Sequence, residues 1–170
     1  SDPLAVKRAL IESDDGATPA EIEAQTRQLL AAREICATLR QLRDLGCEVR
    51  YHSLDVRDSD AFGGRIDELY KRHGRIDGVI HGAGVVEDKL LTHKTSESFD
   101  RVFDTKVKGA LTLAGKIRDD ARFVVFFSSI SAAFGNRGQV DYAAANEILN
   151  KIALAEARRR GATCRVRSLG

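Results

Sequence analysis

The sequence predicts an α/β protein with a doubly wound parallel sheet. From residue 48 onwards, short apolar segments of strand length alternate with longer segments whose apolar residues recur at helical spacing. Strands that alternate with helices form right-handed βαβ units, which place the strands parallel in one sheet. Because the chemistry of such sheets lies at the carboxyl ends of the strands, we expect a functional site along one edge.

Residues 1–46 are predicted to form a helical segment that leads into the core at 47–170. A short first helix is expected to end in the polar run at 13–16. The sequence TPAE (18–21) indicates a new helix, since Thr can cap it, Pro suits its first position and Glu completes a capping box. Gly46 is suited to end this second helix.

The remaining elements follow from apolar patterning. FVVFF (123–127) is typical of a fully buried strand, and GVIH (78–81) of a short one. Helices are expected to begin after capping residues and to end at glycine. The predicted strands are 48–54, 78–81, 123–127 and 164–169, and the predicted helices are 58–73, 96–117 and 139–160.

Composition excludes several classes of function. The chain has 170 residues, which is about one domain. Its net charge of +2, from 27 basic and 25 acidic residues, is too balanced to indicate a nucleic-acid or anionic-membrane partner. No apolar run approaches the ~18 residues of a membrane helix. Cys36, Cys47 and Cys164 lack metal-site or disulfide spacing, so we expect no metal and a cytoplasmic location.

One group of residues has the types needed for acid–base chemistry on a carbonyl. Ser129 ends the apolar strand, Tyr142 opens the next helix, and Asn146 lies one turn further on the same helix face. A serine hydroxyl can orient a carbonyl, and a tyrosine beside a cation can donate a proton. The alternative interpretation is a core tyrosine at a helix start.

Three further segments could line a ligand site. HGAG (81–84) follows a strand, and its small residues allow close approach, although they also suit an ordinary turn. Asp55 could accept a hydrogen bond from an adenine amino group, whereas Asp58 is suited only to cap a helix. Lys106 lies mid-helix among apolar residues, where it either reaches water or turns inward to tune a phenol.

In this order and at these spacings, the motifs resemble those of the short-chain dehydrogenase/reductase family. Within that family, the chain is similar to the ketoreductase domains of modular polyketide and polyunsaturated fatty acid synthases. The helical segment 1–46 resembles, less specifically, a segment found in some of these domains. The resembling stretches are LDVRD (54–58), GRIDGVIHGAGV (74–85), ESFDRVFDTKVKGA (97–110), FFSSIS (126–131) and FGNRGQVDYAAANEILN (134–150).

One departure from the wider family supports the narrower resemblance. Most short-chain dehydrogenases carry Tyr-x-x-x-Lys, but the fourth position after Tyr142 is Asn146. The synthase ketoreductases exchange the positions of this lysine and asparagine, and Lys106 stands where their lysine is expected. The exchange preserves the chemistry because only the spatial arrangement matters.

The resemblance implies NADPH-dependent reduction of a β-ketoacyl group, carried on an acyl carrier protein, within a cytoplasmic multidomain synthase of polyketide or fatty acid biosynthesis. It implies that Tyr142 donates a proton to the ketone oxygen and that Ser129 hydrogen-bonds this oxygen. Lys106 would make the phenol a better proton donor, and Asn146 would orient Lys106 or a water. The implied cofactor-binding residues are Asp55, Val56, His81, Gly82, Ala83, Gly84, Lys106 and Tyr142.

Asp88, Phe134 and Gln139 are implied to contact substrate and control stereochemistry. Ketoreductases that make the D-configured hydroxyl tend to carry Leu-Asp-Asp shortly after the His-x-Ala-Gly motif, and 86–88 reads VED. Those that make the L-configured product tend to carry a Trp before the catalytic Tyr, where this chain has Phe134. We therefore expect D-configured products.

A second departure concerns the cofactor. The family's Thr-Gly-Gly-x-x-Gly-x-Gly phosphate loop has no counterpart before Gly46, and its C-terminal part is also unmatched. We expect a Rossmann-like sheet that is incomplete at both ends. We also expect that the isolated chain pairs its exposed strands with another chain or with an omitted part of its own, binds NADPH poorly and is inactive. The alternatives are a catalytically silent, pseudo-ketoreductase subdomain and a free-standing dehydrogenase of small alcohols, which Asn146 disfavours.

Overall fold

The computed structural model describes residues 2–13 and 16–170 and divides the chain into two compact units, Ser1–Ser53 and Leu54–Gly170. The first unit contains two helices, and the second contains a parallel sheet with its helices. The assignment of residues 1–46 and 47–170 to a leading segment and a core stays a prediction.

The first unit is a pair of packed helices, α1 (Pro3–Ser13) and α2 (Pro19–Asp44). The predicted capping box at the start of α2 is confirmed, because the Thr18 hydroxyl accepts from the Glu21 N–H and the Glu21 carboxylate accepts from the Thr18 N–H. Gly46 follows α2 with φ +82°, a conformation that favours glycine. The first helix ends at Ser13, and residues 14 and 15 of the predicted polar stop lie outside the described residues.

The second unit alternates helices and strands as predicted. Short 3-10 turns at Leu91–His93 and Gly161–Thr163 complete it. Its elements are α3 (Ser59–His73), β1 (Gly78–His81), α4 (Ser96–Lys116), β2 (Phe123–Phe127), α5 (Ser131–Phe134), α6 (Val140–Arg160) and β3 (Arg165–Leu169).

The sheet has three parallel strands in the order β1-β2-β3. Its register aligns Val79 with Val124 and Val124 with Val166. The predicted fourth strand at 48–54 is wrong, because these residues form no strand in the structure. Alternating apolar residues form a strand only where a neighbouring strand offers partners for their backbone groups, and no described strand pairs with 48–54.

One face of the sheet carries the core. Val124 and Phe126 of β2 point to this face and pack with residues of all three long helices of the second unit. On the opposite face, Ile80 is 61% exposed. The remaining core residues are Ile66 and Tyr70 on α3, Ala110 and Leu113 on α4, Leu149 and Ala153 on α6, and Ile117, Ala121, Cys164 and Val166 outside these helices. A parallel three-stranded sheet of this kind is consistent with an incomplete Rossmann-like fold.

The described residues contain neither a membrane-spanning helix nor a cluster of metal-ligating side chains. None of the helices has the length and apolar character required to cross a bilayer. Among residues 2–13 and 16–170, no group of three or more His, Cys, Asp or Glu side chains could hold a metal ion.

Candidate active site

The carboxyl end of β2 brings the side chains of Lys106 and Tyr142 together. The Lys106 Nζ donates to the carbonyl oxygen of Phe127 at 2.9 Å, and it lies 5.2 Å from the centroid of the Tyr142 ring. Lys106 comes from α4 and Tyr142 from the first turn of α6. The strand end therefore holds a cation close to a half-buried phenol ring.

The inward orientation of Lys106 follows from the pattern of α4. Val102, Lys106, Ala110 and Leu113 recur at helical spacing, and this face of the helix is buried. Lys106 is 3% exposed, and burial lowers the pKa of its ammonium below the ordinary value. Of the two alternatives, a lysine that reaches water and one that turns inward, the structure has the second.

Gly84 leaves room for the Lys106 side chain. A Cβ atom at Gly84 would lie 3.1 Å from the Lys106 Cε. A larger residue would therefore press against the stem of the lysine. The HGAG motif contributes to the site in this way, through the space that its last glycine leaves open.

Asn146 lies fully buried one turn after Tyr142, as the sequence predicts. Its Nδ2 donates to the backbone oxygen of Tyr142 at 2.8 Å, and its own backbone oxygen accepts from the Ser128 hydroxyl at 3.2 Å. The Asn146 Oδ1 is buried and has no partner among the described residues. A buried acceptor of this kind requires a donor, which a water or an ammonium can supply.

Ser129 follows the end of β2. Its Oγ accepts from the N–H of Ser131 at 3.2 Å and from the Ser131 hydroxyl at 3.0 Å. A hydroxyl has one proton to donate in addition to its acceptor sites, so these contacts leave the Ser129 proton for another group. Gly170 packs so closely on this serine that a Cβ there would lie 2.6 Å from the Ser129 nitrogen.

The buried His81 side chain is hydrogen-bonded to the backbone of α4. It is 4% exposed, and its Nε2 lies 2.8 Å from the carbonyl oxygen of Lys106. Because a carbonyl only accepts, the Nε2 carries the proton. Burial lowers the pKa of His81, which favours this neutral form. Its ring fits because position 109 is glycine, where a Cβ would lie 2.9 Å from the His81 Cε1.

A cavity of about 380 Å³ runs along β1 and is lined by part of the predicted cofactor set. Val56, His81, Gly82 and Ala83 line it, together with apolar residues of α3 and α4. Asp55 is not among the lining residues. Its carboxylate is bound by the Arg57 guanidinium at 2.6 Å, which lowers the pKa of Asp55 to about 2. Asp58 caps α3 by accepting from the Ala61 N–H.

Two of the three predicted stereocontrol residues meet. The Gln139 Nε2 donates to both carboxylate oxygens of Asp88, at 3.0 and 3.1 Å. The Lys89 N–H also donates to the Gly138 oxygen at 3.0 Å. Phe134 is 82% exposed and takes no part in these contacts. The segment at 87–89 is therefore fixed to the residues that lead into α6.

Several residues around this site were not among those predicted from the sequence. Gly109 makes room for His81, and a glycine one helical turn after a candidate lysine was the available signal. Lys94 and Asp141 form a buried ion pair next to Tyr142. Nothing in local sequence pattern indicated that pair, because its partners are 47 residues apart.

Taken together, the fold and the site define the class of protein. A parallel sheet carries a buried lysine beside a tyrosine at the carboxyl end of its middle strand, with a serine at the same strand end. This is the arrangement that the resemblance to short-chain dehydrogenases and reductases implied. Residues 10–168 match the family model described as KR domain, and the chain belongs to this ketoreductase domain family.

Two curated relatives are synthases much longer than this chain. The chain is 37% identical over 139 residues to a polyunsaturated fatty acid synthase polypeptide from Thraustochytrium sp., covering 81% of this chain and 5% of that protein. It is 35% identical over 116 residues to polyketide synthase PksN from Bacillus subtilis, covering 68% of this chain and 2% of that protein. The chain thus spans a small fraction of the length of these relatives.

Solved structures confirm the fold. An N-terminal ketoreductase from a macrolactin assembly line superposes with a TM-score of 0.71 at 32% identity, over 76% of this chain and 27% of that one. A short chain dehydrogenase from Mycobacterium avium has the same fold, with a TM-score of 0.70 at 22% identity over 78% of this chain and 50% of that one. The predicted α/β, Rossmann-like class and the predicted family are therefore confirmed.

Proposed function

We propose that the chain forms the catalytic part of an NADPH-dependent ketoreductase in a cytoplasmic multidomain synthase. The reaction is reduction of a β-ketoacyl group on an acyl carrier protein to the β-hydroxyacyl form, in polyketide or fatty acid biosynthesis. The observation that carries the proposal is the buried Lys106 ammonium 5.2 Å from the Tyr142 ring. A structural lysine with no carboxylate partner among the described residues has little reason to be buried there.

Four of the predicted cofactor-binding residues line the cavity along β1, which supports NADPH binding there. Gly82 and Ala83 line the β1 cavity, where their small size would let a ligand lie close to the backbone. Val56 would form an apolar wall there and the backbone of His81 a polar one. Gly84, Lys106 and Tyr142 would lie near the nicotinamide end of the bound cofactor. Asp55 would have to share its Arg57-bound carboxylate to contact an adenine amino group. When bound, NADPH supplies a hydride to the carbonyl carbon.

The side chains of this protein supply the proton and the orientation. Tyr142 donates its phenolic proton to the ketone oxygen as that oxygen gains charge, and Ser129 hydrogen-bonds the same oxygen. The Lys106 ammonium stabilises the phenolate that Tyr142 becomes, and burial strengthens that interaction. The Asn146 Nδ2 bonds the backbone oxygen of Tyr142, and its buried Oδ1, which has no partner among the described residues, would accept from a water or from Lys106.

The test is Tyr142→Phe in the full-length gene product. Ketone reduction should fall by about 10²–10⁴-fold, the usual contribution of a positioned proton donor, while NADPH affinity is retained. Tyr51→Phe, at an exposed tyrosine of the first unit, is the matched control and should leave turnover unchanged. Equal turnover in Tyr142→Phe and wild type would overturn the proposal. A wild-type protein that binds NADPH without reducing a β-ketoacyl substrate would instead support the silent, structural role.

A further inference from the structure

The second unit contains an ion pair that is completely removed from water. The Lys94 Nζ lies 2.5 Å from the Asp141 Oδ2, and each side chain is 1% exposed. Lys94 precedes α4, and Asp141 is the second residue of α6. Burying two charges costs desolvation energy that their attraction repays only in part, so such a pair is a weak stabiliser of a fold.

Each member of the pair also holds a backbone group beside the candidate active site. The Asp141 Oδ1 accepts from the N–H of Tyr142 at 2.9 Å. The Lys94 Nζ donates to the backbone oxygen of Glu87 at 2.7 Å. The pair therefore connects the backbone of the proposed proton donor with the segment at 87–89.

Other contacts hold the same two parts of the chain together. The Glu87 carboxylate accepts from the Ser98 hydroxyl and from Arg101 on α4, which fixes the segment on its other side. Gln139, which precedes α6, also donates to Asp88 in the segment at 87–89. The Lys94–Asp141 pair differs from these contacts because the Asp141 carboxylate accepts from the N–H of Tyr142 itself.

We infer that Lys94 and Asp141 are positioning residues, which fix the backbone of Tyr142 relative to the segment at 87–89. The inference rests on the proposed function for its catalytic consequence, since a displaced Tyr142 transfers its proton less well. Misplacement of a reacting group by ~1 Å can reduce a rate about 100-fold. The structural consequence, coupling between Tyr142 and residues 87–89, holds for the chain whether or not it reduces a ketone.

The decisive variant is Lys94→Met/Asp141→Leu, because replacing a buried ion pair by apolar residues of similar volume is often neutral or stabilising. It keeps the interior filled and removes both the acceptor for the Tyr142 N–H and the donor to Glu87. The matched control is Lys116→Met/Asp67→Leu, which removes an ion pair between α4 and α3 whose side chains are 41% and 49% exposed.

Hydrogen exchange followed by mass spectrometry on the full-length gene product measures the coupling without any substrate. In the Lys94/Asp141 variant, exchange should rise about five- to tenfold in peptides that contain Tyr142 and residues 87–89, the effect of losing a hydrogen bond of ordinary strength. Exchange in β2 and the thermal midpoint should stay unchanged. The control variant should leave the exchange of both peptides as in wild type.

Kinetics test the catalytic consequence separately. The kcat for ketone reduction should fall about 10- to 100-fold with an unchanged KM for NADPH. A purely structural role predicts that the well-packed variant recovers activity together with stability. Unchanged exchange at Tyr142, faster exchange throughout the protein, or wild-type kcat would each overturn the inference. Wild type without reductase activity would contradict the proposed function, and the exchange experiment would still decide the positioning role.

Discussion

Replacing Lys106 by methionine should remove catalysis and leave the fold as stable as before or more stable. Methionine keeps the apolar stem that packs on the buried face of α4 and deletes the charge. The side chain is 3% exposed, and its ammonium makes one hydrogen bond, to the Phe127 oxygen, besides its contact with the Tyr142 ring. The variant therefore separates the electrostatic role of Lys106 from its packing role.

The expected magnitude comes from opposing contributions to the free energy of unfolding. A hydrogen bond from a charged donor is worth about 1.5–3 kcal/mol, and a cation–π contact about 0.5–2 kcal/mol. The effective desolvation penalty of a buried ion is several kcal/mol. These contributions nearly cancel, and the lowered pKa of Lys106 indicates that desolvation outweighs the favourable contacts, so we expect Lys106→Met to be more stable than wild type by about 0–2 kcal/mol.

The pH dependence of this difference gives a sharper test. Burial lowers the pKa of Lys106 in the folded protein below its unfolded value of about 10.4. The unfolded chain therefore binds more protons in the interval between the two values, and the stability of wild type rises with pH across it. The methionine variant lacks this rise, so its advantage should be largest at neutral pH and should shrink towards pH 10.

Urea denaturation of both proteins at pH 7 and pH 9.5 measures the effect, with Lys116→Met as the control. Lys116 lies on the same helix, and its side chain is 41% exposed, so its removal should change stability little and equally at both pH values. A Lys106→Met protein that is more than about 2 kcal/mol less stable than wild type would refute the reasoning, because the ammonium would then be a net stabiliser.

Three further predictions concern the support of the site and its product. Arg160→Met should lower the free energy of unfolding of the second unit by about 3–5 kcal/mol in chemical denaturation. The reason is that the buried guanidinium binds the Glu156 carboxylate and the backbone oxygens of Ile117 and Arg118. Arg159→Met, at an exposed ion pair, is the control and should cost less than about 1 kcal/mol. Gly84→Ala should lower kcat without unfolding the protein, since its Cβ presses on the lysine stem, while Gly64→Ala, with open space around it, should leave kcat unchanged. Chiral chromatography should show mainly the D-configured hydroxyl, because the acid at the end of 86–88 is retained; a mainly L-configured product would contradict this.

Elements defined by local interactions were predicted well. The capping box of Thr18 and Glu21 and the cap at Asp58 involve residues three positions apart, so a short stretch of sequence contains both partners. The failed strand at 48–54 had a suitable apolar pattern, but a strand also needs a neighbour. Whether a neighbouring strand is present depends on the arrangement of the whole sheet and not on the local sequence.

In the candidate site, too, contacts between residues close in sequence differ from contacts between distant residues in how well they could be predicted. Tyr142 and Asn146 share a helix face by spacing alone, whereas the bond from the Asn146 side chain to the Tyr142 backbone oxygen was not predicted. The bond between His81 and the Lys106 oxygen joins residues 25 positions apart and gave no sign in the sequence. Asp55 and Arg57 are only two positions apart, but the sequence did not show that Arg57 would bind the carboxylate that a ligand would use.

The sequence by itself determined the alternation of helices and strands, the helix ends and the set of candidate residues, because these depend on side-chain types at short, fixed spacings. Only the tertiary structure decided that Lys106 turns inward over Tyr142 and that Lys94 and Asp141 meet in the interior. Whether a charged side chain is buried depends on which distant elements pack over it and on which partner they bring. That balance of desolvation against pairing is settled only when the elements come together.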